Sequence, residues 1–152
     1  MTLFNALAVS ATGMTSNRLW IDLIANNISN VNSVSKNGDP YRRKVPVFME
    51  MVREVNPEIE EQMAAFNFGN EPTKEMGGGV QTYRIAKDMS EFKHVYEPGN
   101  PYADKSGFVK KPNVEVINEM VDMIAANRAY DASVQTANAA KAMVNKALEI
   151  GK

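Results

Sequence analysis

The chain has 152 residues, 44% of them hydrophobic and 23% charged, the size and composition of one globular domain, which excludes collagen-like, mucin-like and wholly disordered classes. Seventeen Lys and Arg against eighteen Asp and Glu leave a formal charge of -1, so no net field draws the chain to nucleic acid or to an anionic membrane. Without cysteine there are no disulfides, thiol nucleophiles or thiolate zinc sites, and a single histidine, His94, removes most other zinc chemistry.

Composition shifts divide the chain into three parts. Residues 1–35 hold no proline and only two charged side chains, Arg18 and Asp22, and read as an N-terminal helical arm. Residues 36–111 hold most of the charge, six of the seven prolines and most of the glycines, and read as a β-rich middle domain. Residues 112–152, proline-free after Pro112, read as a C-terminal helical arm. The expected fold class is α+β, with long N- and C-terminal helices pairing as a coiled-coil-like layer beside a small β-rich middle.

The opening residues are apolar, and Ala6-Leu7-Ala8 has the small-x-small pattern of a cleavage site. No Lys or Arg precedes Arg18, however, and cleavage there leaves too short an apolar core, so no cleaved signal peptide is expected. No apolar run reaches the ~18 residues of a membrane-spanning helix, so no direct membrane insertion is expected either. In the N-terminal arm, alternating steps of four and three pick out Leu3, Leu7, Ser10, Met14, Asn17, Ile21, Ile24, Ile28 and Val31. That is a helix seam, with Ser10 and Asn17 as polar interruptions that set register. Ala6, Ala8, Ala11 and Gly13 are small enough to let a neighbouring backbone approach.

In the middle, residues 44–52 alternate, with Val45, Val47, Met49 and Met51 expected inward and Pro46, Phe48 and Glu50 outward. Residues 80–85, following Gly77-Gly78-Gly79, and residues 91–96 read as further strands, and Asp104-Lys105-Ser106-Gly107 as a turn into Phe108-Val109. Residues 56–72 are open between a loop and a helical turn carrying Ile59, Met63 and Phe66. In the C-terminal arm, Pro112-Asn113 signals a helix start with Asn113 as N-cap, and Glu115 and Glu119 lie near the positive end of the dipole. The seam then passes through Val116, Met120, Met123, Asn127, Tyr130, Val134, Ala137, Lys141, Val144 and Leu148, and Gly151 can stop the helix.

At ~1.5 Å per residue the two helices measure roughly 40 Å and more than about 50 Å. A compact unit of about 75 residues, with a radius of gyration near ~11 Å, is too small to cover them. They can pair antiparallel on their own middle, or each can bury its stripe against other subunits. Flanks of Asn, Ser, Thr and Ala, in place of the Glu and Lys of an exposed coiled coil, favour the second.

No enzyme chemistry emerges. Glu58, Glu60 and Glu61 read as a solvated acidic face. The triple glycine precedes a strand and lacks the Lys-Ser/Thr of a phosphate loop. His94 has no neighbouring ligand or nucleophile, and Arg42-Arg43-Lys44 reads as a short surface contact. No catalytic, cofactor-binding or metal-binding residue is assigned, and no cofactor is expected.

Residues 7–33, LAVSATGMTSNRLWIDLIANNISNVNS, with the run Ala25-Asn26-Asn27-Ile28-Ser29-Asn30-Val31-Asn32-Ser33, resemble the N-terminal signature of the flagellar rod and hook axial proteins. YRRKVPVF (41–48), VYEPGNPYADKSGFVKKP (95–112) and NVEVINEMVDMIAANRAY (113–130) narrow the resemblance to a proximal-rod member. The resemblance implies a non-enzymatic structural subunit of the bacterial basal body. Such a subunit leaves the cytoplasm unprocessed through the flagellar type III export apparatus. In the periplasm it polymerises into a hollow drive shaft that transmits torque and passes exported subunits. Implied partners are further copies of itself, other proximal-rod proteins, the rod-base adaptor and the export apparatus, with no nucleic acid.

The assembly interface is then expected at Leu3, Leu7, Met14, Ile21, Ile24, Asn26, Asn27, Ile28 and Asn30 on the first arm. On the second it is expected at Val116, Met120, Met123, Asn127, Tyr130, Val134, Ala137, Val144 and Leu148. The asparagines have a physical role of their own, as uncharged donors and acceptors in a buried layer, and can equally mark a helix C-terminus turning into a loop. The alternatives are a generic coiled-coil protein associated with type III secretion, and a cell-wall hydrolase, which would need a carboxylate pair in a cleft.

Overall fold

With no proline and one glycine, the first arm forms an uninterrupted 27-residue helix, α1 (Leu3–Ser29), in the computed structural model, which describes residues 3–34, 39–53 and 76–150. The Asn30 amide nitrogen donates to the Asn26 carbonyl at 2.8 Å, and the Ser33 hydroxyl to the Asn30 carbonyl at 3.0 Å. Local side-chain bonds of this kind compete with the backbone ladder and end the helix, so Val31, expected on the seam, lies past it.

The chain continues as β1 (Lys44–Arg53), β2 (Met76–Lys87), β3 (Lys93–Tyr96) and β4 (Phe108–Lys111), then the 35-residue α2 (Val116–Ile150). β1 pairs antiparallel with β2, and β3 with β4, as two separate hairpins. The α+β arrangement is the expected one. Ile59, Met63 and Phe66, with Glu58, Glu60 and Glu61, lie outside the described residues.

α1 is the central element. It packs antiparallel to α2, since Asn27 meets Glu119 at one end and Gly13 meets Ser133 further along, and its other side carries the β1–β2 hairpin. Among the described elements, α2 packs on α1 and on no strand. The face of α2 turned inward includes Glu119, Ala126 and Ala140, all buried, and Ser133, whose hydroxyl lies 3.0 Å from where a Gly13 side chain would begin. These residues are one heptad apart, a coiled-coil spacing. They take the inward place expected of Met120, Asn127, Val134 and Lys141, each one residue further along. The cause is size: Ala and Ser opposite Gly13 let the two backbones approach, whereas Met and Leu at those positions would hold them apart.

Three expectations for the middle change. The triple glycine does not precede a strand but lies inside β2, where the register shifts between Glu50 and Val52 of the partner strand. A side chain on Gly78 would begin 2.6 Å from the Met51 carbonyl oxygen, and Gly79 has φ +108° with its missing side chain aimed at the Thr12 hydroxyl. That hydroxyl donates to the Val9 carbonyl at 2.7 Å and accepts from the Val80 amide at 3.2 Å, seating the hairpin on α1. A second register shift between Val47 and Phe48 breaks the period-two pattern. Phe48, expected outward, stays partly exposed while its ring meets the Trp20 ring of α1 edge-on at 6.2 Å. Met49 and Met51, expected inward, are exposed.

The β3–β4 connection contains the expected turn. The Asp104 carboxylate accepts from the Ser106 and Phe108 amides at 2.8 and 3.0 Å. The Phe108 and Ser106 amides hold its pKa below the usual aspartate value. Gly107, at φ +79°, completes the turn under the Tyr96–Phe108 edge-on pair.

The positive φ and close approach at Gly79 yield a stability test. Gly79→Ala is expected to cost about 1–3 kcal/mol, whereas Gly99→Ala, with open space around it, should be near neutral. Chemical denaturation of the two variants side by side checks this.

Candidate assembly interface

The end of the helical pair is organised by a carboxylate that has no access to water. Glu119, one turn into α2, is 0% exposed, and an ion so placed survives only if it is paired and hydrogen-bonded. Arg43, one residue before β1, donates from Nε to Glu119 Oε1 at 2.5 Å and from a terminal nitrogen to Asp122 Oδ2 at 2.9 Å, and lies 3.7 Å from Asp88. Burial works against the guanidinium charge, but the hydrogen bond and charge of Glu119, with Asp122 and Asp88, carry its pKa above the ordinary arginine value.

Asn27, near the end of α1, completes the cluster. Its amide nitrogen donates to Glu119 Oε2 at 3.1 Å and to the Lys44 carbonyl at 2.9 Å, while its Oδ1 accepts from the Lys44 amide at 3.0 Å. The Tyr41 hydroxyl, 2.9 Å from Asn27 Oδ1 and 3.0 Å from Asn26 Oδ1, can donate to either. Burial first, and the Glu119 charge second, raise the Tyr41 pKa and keep that donor protonated. The asparagine run thus clips the segment entering β1 onto the end of α1. Asn113, expected to cap α2, instead accepts from the Arg43 amide at 2.8 Å and donates to the Asp88 carbonyl and the Ser90 hydroxyl. The first intrahelical bond of α2 runs from the Glu119 amide to the Glu115 carbonyl, making Glu115 the cap residue. Among the described residues no buried side-chain nitrogen or oxygen lacks a partner.

The residues singled out in the sequence divide between the inside of this chain and its surface. Ile24 and Asn27 are buried; Leu7, Met14, Ile21, Ile28, Asn30, Val116, Met123, Tyr130, Val134, Ala137 and Val144 are half-buried. Asn26, Met120, Asn127 and Leu148 are exposed, and the Leu3 side chain lies outside the described residues. Ile117, Val121 and Ile124 join Met120 as large apolar side chains exposed on α2. Sequence reasoning passed over Glu119, taken for a dipole residue, and Arg43, taken for a surface contact. The one available signal was an acidic side chain at a heptad position of an otherwise small-residue face. Among the described residues no group of three His, Cys, Asp or Glu could hold a metal ion, and no helix is long and apolar enough to cross a membrane.

Comparison with known proteins adds two findings. A family model described as the flagellar basal body rod FlgEFG protein C-terminal region matches residues 105–150, the turn before β4, β4 itself and α2. The chain is 38% identical over 157 residues to the flagellar basal-body rod protein FlgC of Bacillus subtilis, with all of both chains covered. It is 41% identical to that of Borreliella burgdorferi, over 99% of this chain and 98% of the other, and 33% identical to that of Escherichia coli O6:H1 over both entire chains.

The buried carboxylate makes two measurable demands. Arg43→Met leaves it unpaired and should cost about 3–5 kcal/mol, a loss largely recovered by combining it with Glu119→Met; denaturation midpoints of the two variants test this. Asp88 titrates in the opposite sense to a raised group. The Ser90 amide holds its carboxyl below the ordinary value of 3.8 against the opposing effect of burial, helped by the Ser90 hydroxyl, Arg43 and Arg42. Its contribution is therefore complete above pH 3.8 and disappears as pH falls through the depressed value. Asp88→Asn should remove that contribution, lowering stability above pH 3.8 and so flattening the acid limb of stability against pH.

Proposed function

From the premise that this chain belongs to the FlgC family of flagellar basal-body rod proteins, we propose that it is a structural subunit of the proximal rod, polymerising through the layer formed by α1 and α2. The observation that carries this reading is the shape of α2. It is about 52 Å long, packs one face on α1, and leaves Ile117, Met120, Val121 and Ile124 in solvent. Exposed apolar side chains gathered on one helix mark a surface that another protein covers.

In this reading the tube formed by neighbouring helical pairs passes exported subunits and transmits torque, and the hairpins lie outside it. The neighbours are further copies, other proximal-rod proteins and the rod-base adaptor. The chain reaches the periplasm through the type III export apparatus. Its role is mechanical and not catalytic, in keeping with relatives named as rod proteins. The proposed interface combines the exposed Met120, Asn127 and Leu148 with half-buried positions such as Tyr130, Val134 and Val144, while Ile24 and Asn27 serve inside the chain.

Met120→Asp separates assembly from folding, because Met120 is 55% exposed in the single chain. The variant should keep its denaturation midpoint within about 0.5 kcal/mol and be secreted normally, yet fail to complete rods and abolish swimming. Ala137→Pro, which breaks α2 at a cost of ~3 kcal/mol or more, should also block rod completion. Complete, torque-bearing rods from both variants would refute assembly through this layer. A secretion assay distinguishes failed assembly from failed export.

A further inference from the structure

Residues 39–44 and 87–93 lie side by side, held by the Lys44–Lys87 pairing, the Asp88 amide bonded to the Arg43 carbonyl at 2.8 Å, and Arg42 bonded to the Asp88 and Ser90 carbonyls. Together they form a thin wall between two clefts of about 520 and 430 Å³ that share no residue. Arg42, Lys87 and Phe92 line the larger cleft, while their neighbours Arg43, Asp88 and Glu91 line the smaller.

The two clefts differ in charge. The larger cleft carries Arg42, Lys44 and Lys87 against Asp39 alone. Among the described residues none of those three cations is ion-paired. The smaller cleft carries five carboxylates against Arg43 and Lys93. Arg43 engages Asp88, Glu119 and Asp122, and Glu91 and Glu115 make no ion pair among the described residues. Lys44 and Lys87 on one side, and Glu91 and Glu115 on the other, are thus left without ion partners among the described residues, whereas the Arg42 guanidinium is held on the Asp88 and Ser90 carbonyls and acts on the Asp88 charge.

We infer that this wall is a heterologous contact between copies of the chain, the basic side of one subunit, with Lys87 at its rim, meeting the acidic side of the next, with Glu91. Opposite-sense contacts of this kind do not close on a pair but propagate from copy to copy, as a helical assembly requires. Complementary charge selects the partner and its orientation. The inference rests on the rod-subunit reading and adds to it a second surface, distinct from α2.

The test uses the full chain in its source bacterium, with the native copy removed. Because the chain lacks cysteine, Lys87→Cys and Glu91→Cys each introduce one thiol on an exposed residue. Isolated basal bodies from cells co-expressing both variants, treated with a short bismaleimide, should give an adduct of twice the chain mass; neither variant alone should give it. Lys87→Glu and Glu91→Lys should each abolish swimming, and the double variant should restore it. An adduct from a single variant would mean a symmetric contact, an adduct with a different chain would mean another partner, and no adduct from co-expression would mean no contact; each overturns the inference. If these fail while Met120→Asp still blocks rod completion, the rod reading stands and the wall contact alone is wrong. If Met120→Asp also leaves rods complete, the layer reading fails with it.

Discussion

A carboxylate shut away from water one turn into α2 is the constraint that the rest of the molecule meets. Glu119 cannot be ionised and buried unless a cation and a neutral donor reach it, and both come from far away in the chain: Arg43 from 76 residues upstream and Asn27 from 92. Satisfying one side chain therefore brings together the end of α1, the entry to β1 and the start of α2. Asn27 adds directional control, because its amide occupies both the N–H and the C=O of Lys44 as a neighbouring strand would. The first residue of β1 is thereby fixed against the helical pair.

Everything along α1 is consistent with a helix that has two neighbours. Gly13 and the small residues of α2 set a close helix–helix approach, while Thr12, Ser16 and Trp20 address the hairpin. Ser10, Thr12 and Ser16 of α1 are satisfied locally or across to the strands. Ser10 donates to the Ala6 carbonyl at 2.8 Å, so it can be buried without a partner in another element. With α1 occupied on both sides, the large exposed apolar side chains of the helical pair, among the described residues, lie on α2. A helix whose inward face is built from Ala and Ser, and whose exposed flank carries Ile, Met and Val, has its larger apolar side chains on the side away from its own chain. Burying such area gives about 25 cal/mol per Å², which favours association once copies are concentrated.

The charge-rich segment near residues 39–44 and 87–93 serves the same economy of a thin structure. Two adjacent stretches have no interior of their own, and most of their side chains line one cleft or the other. One side of each stretch is tied to the Glu119 cluster through Arg43 and Asp88, and the other side is left to Arg42, Lys44 and Lys87. The internal cluster thus also determines which charges remain outward.

The sequence by itself determined the elements. Two long proline-free stretches with helical periodicity had to be helices, the Asp104–Gly107 turn followed from its residue types, and alternation placed the start of β1 but not that of β2, which begins at Met76 ahead of the expected residue 80. Resemblance of the asparagine run and the C-terminal arm to the axial proteins pointed to the family. Only the tertiary structure decided which edge of each helix faces inward. Hydrophobic periodicity places the large apolar residues inside, but here Ala126, Ser133 and Ala140 pack on α1 because small residues allow the backbones to come close. The same holds for Glu119 and Gly79. A glutamate reads as solvated until an arginine is brought to it, and a glycine run reads as a loop until a neighbouring helix leaves no room for a side chain. Both depend on distances between segments remote along the chain, and periodicity within one segment carries no information about such distances.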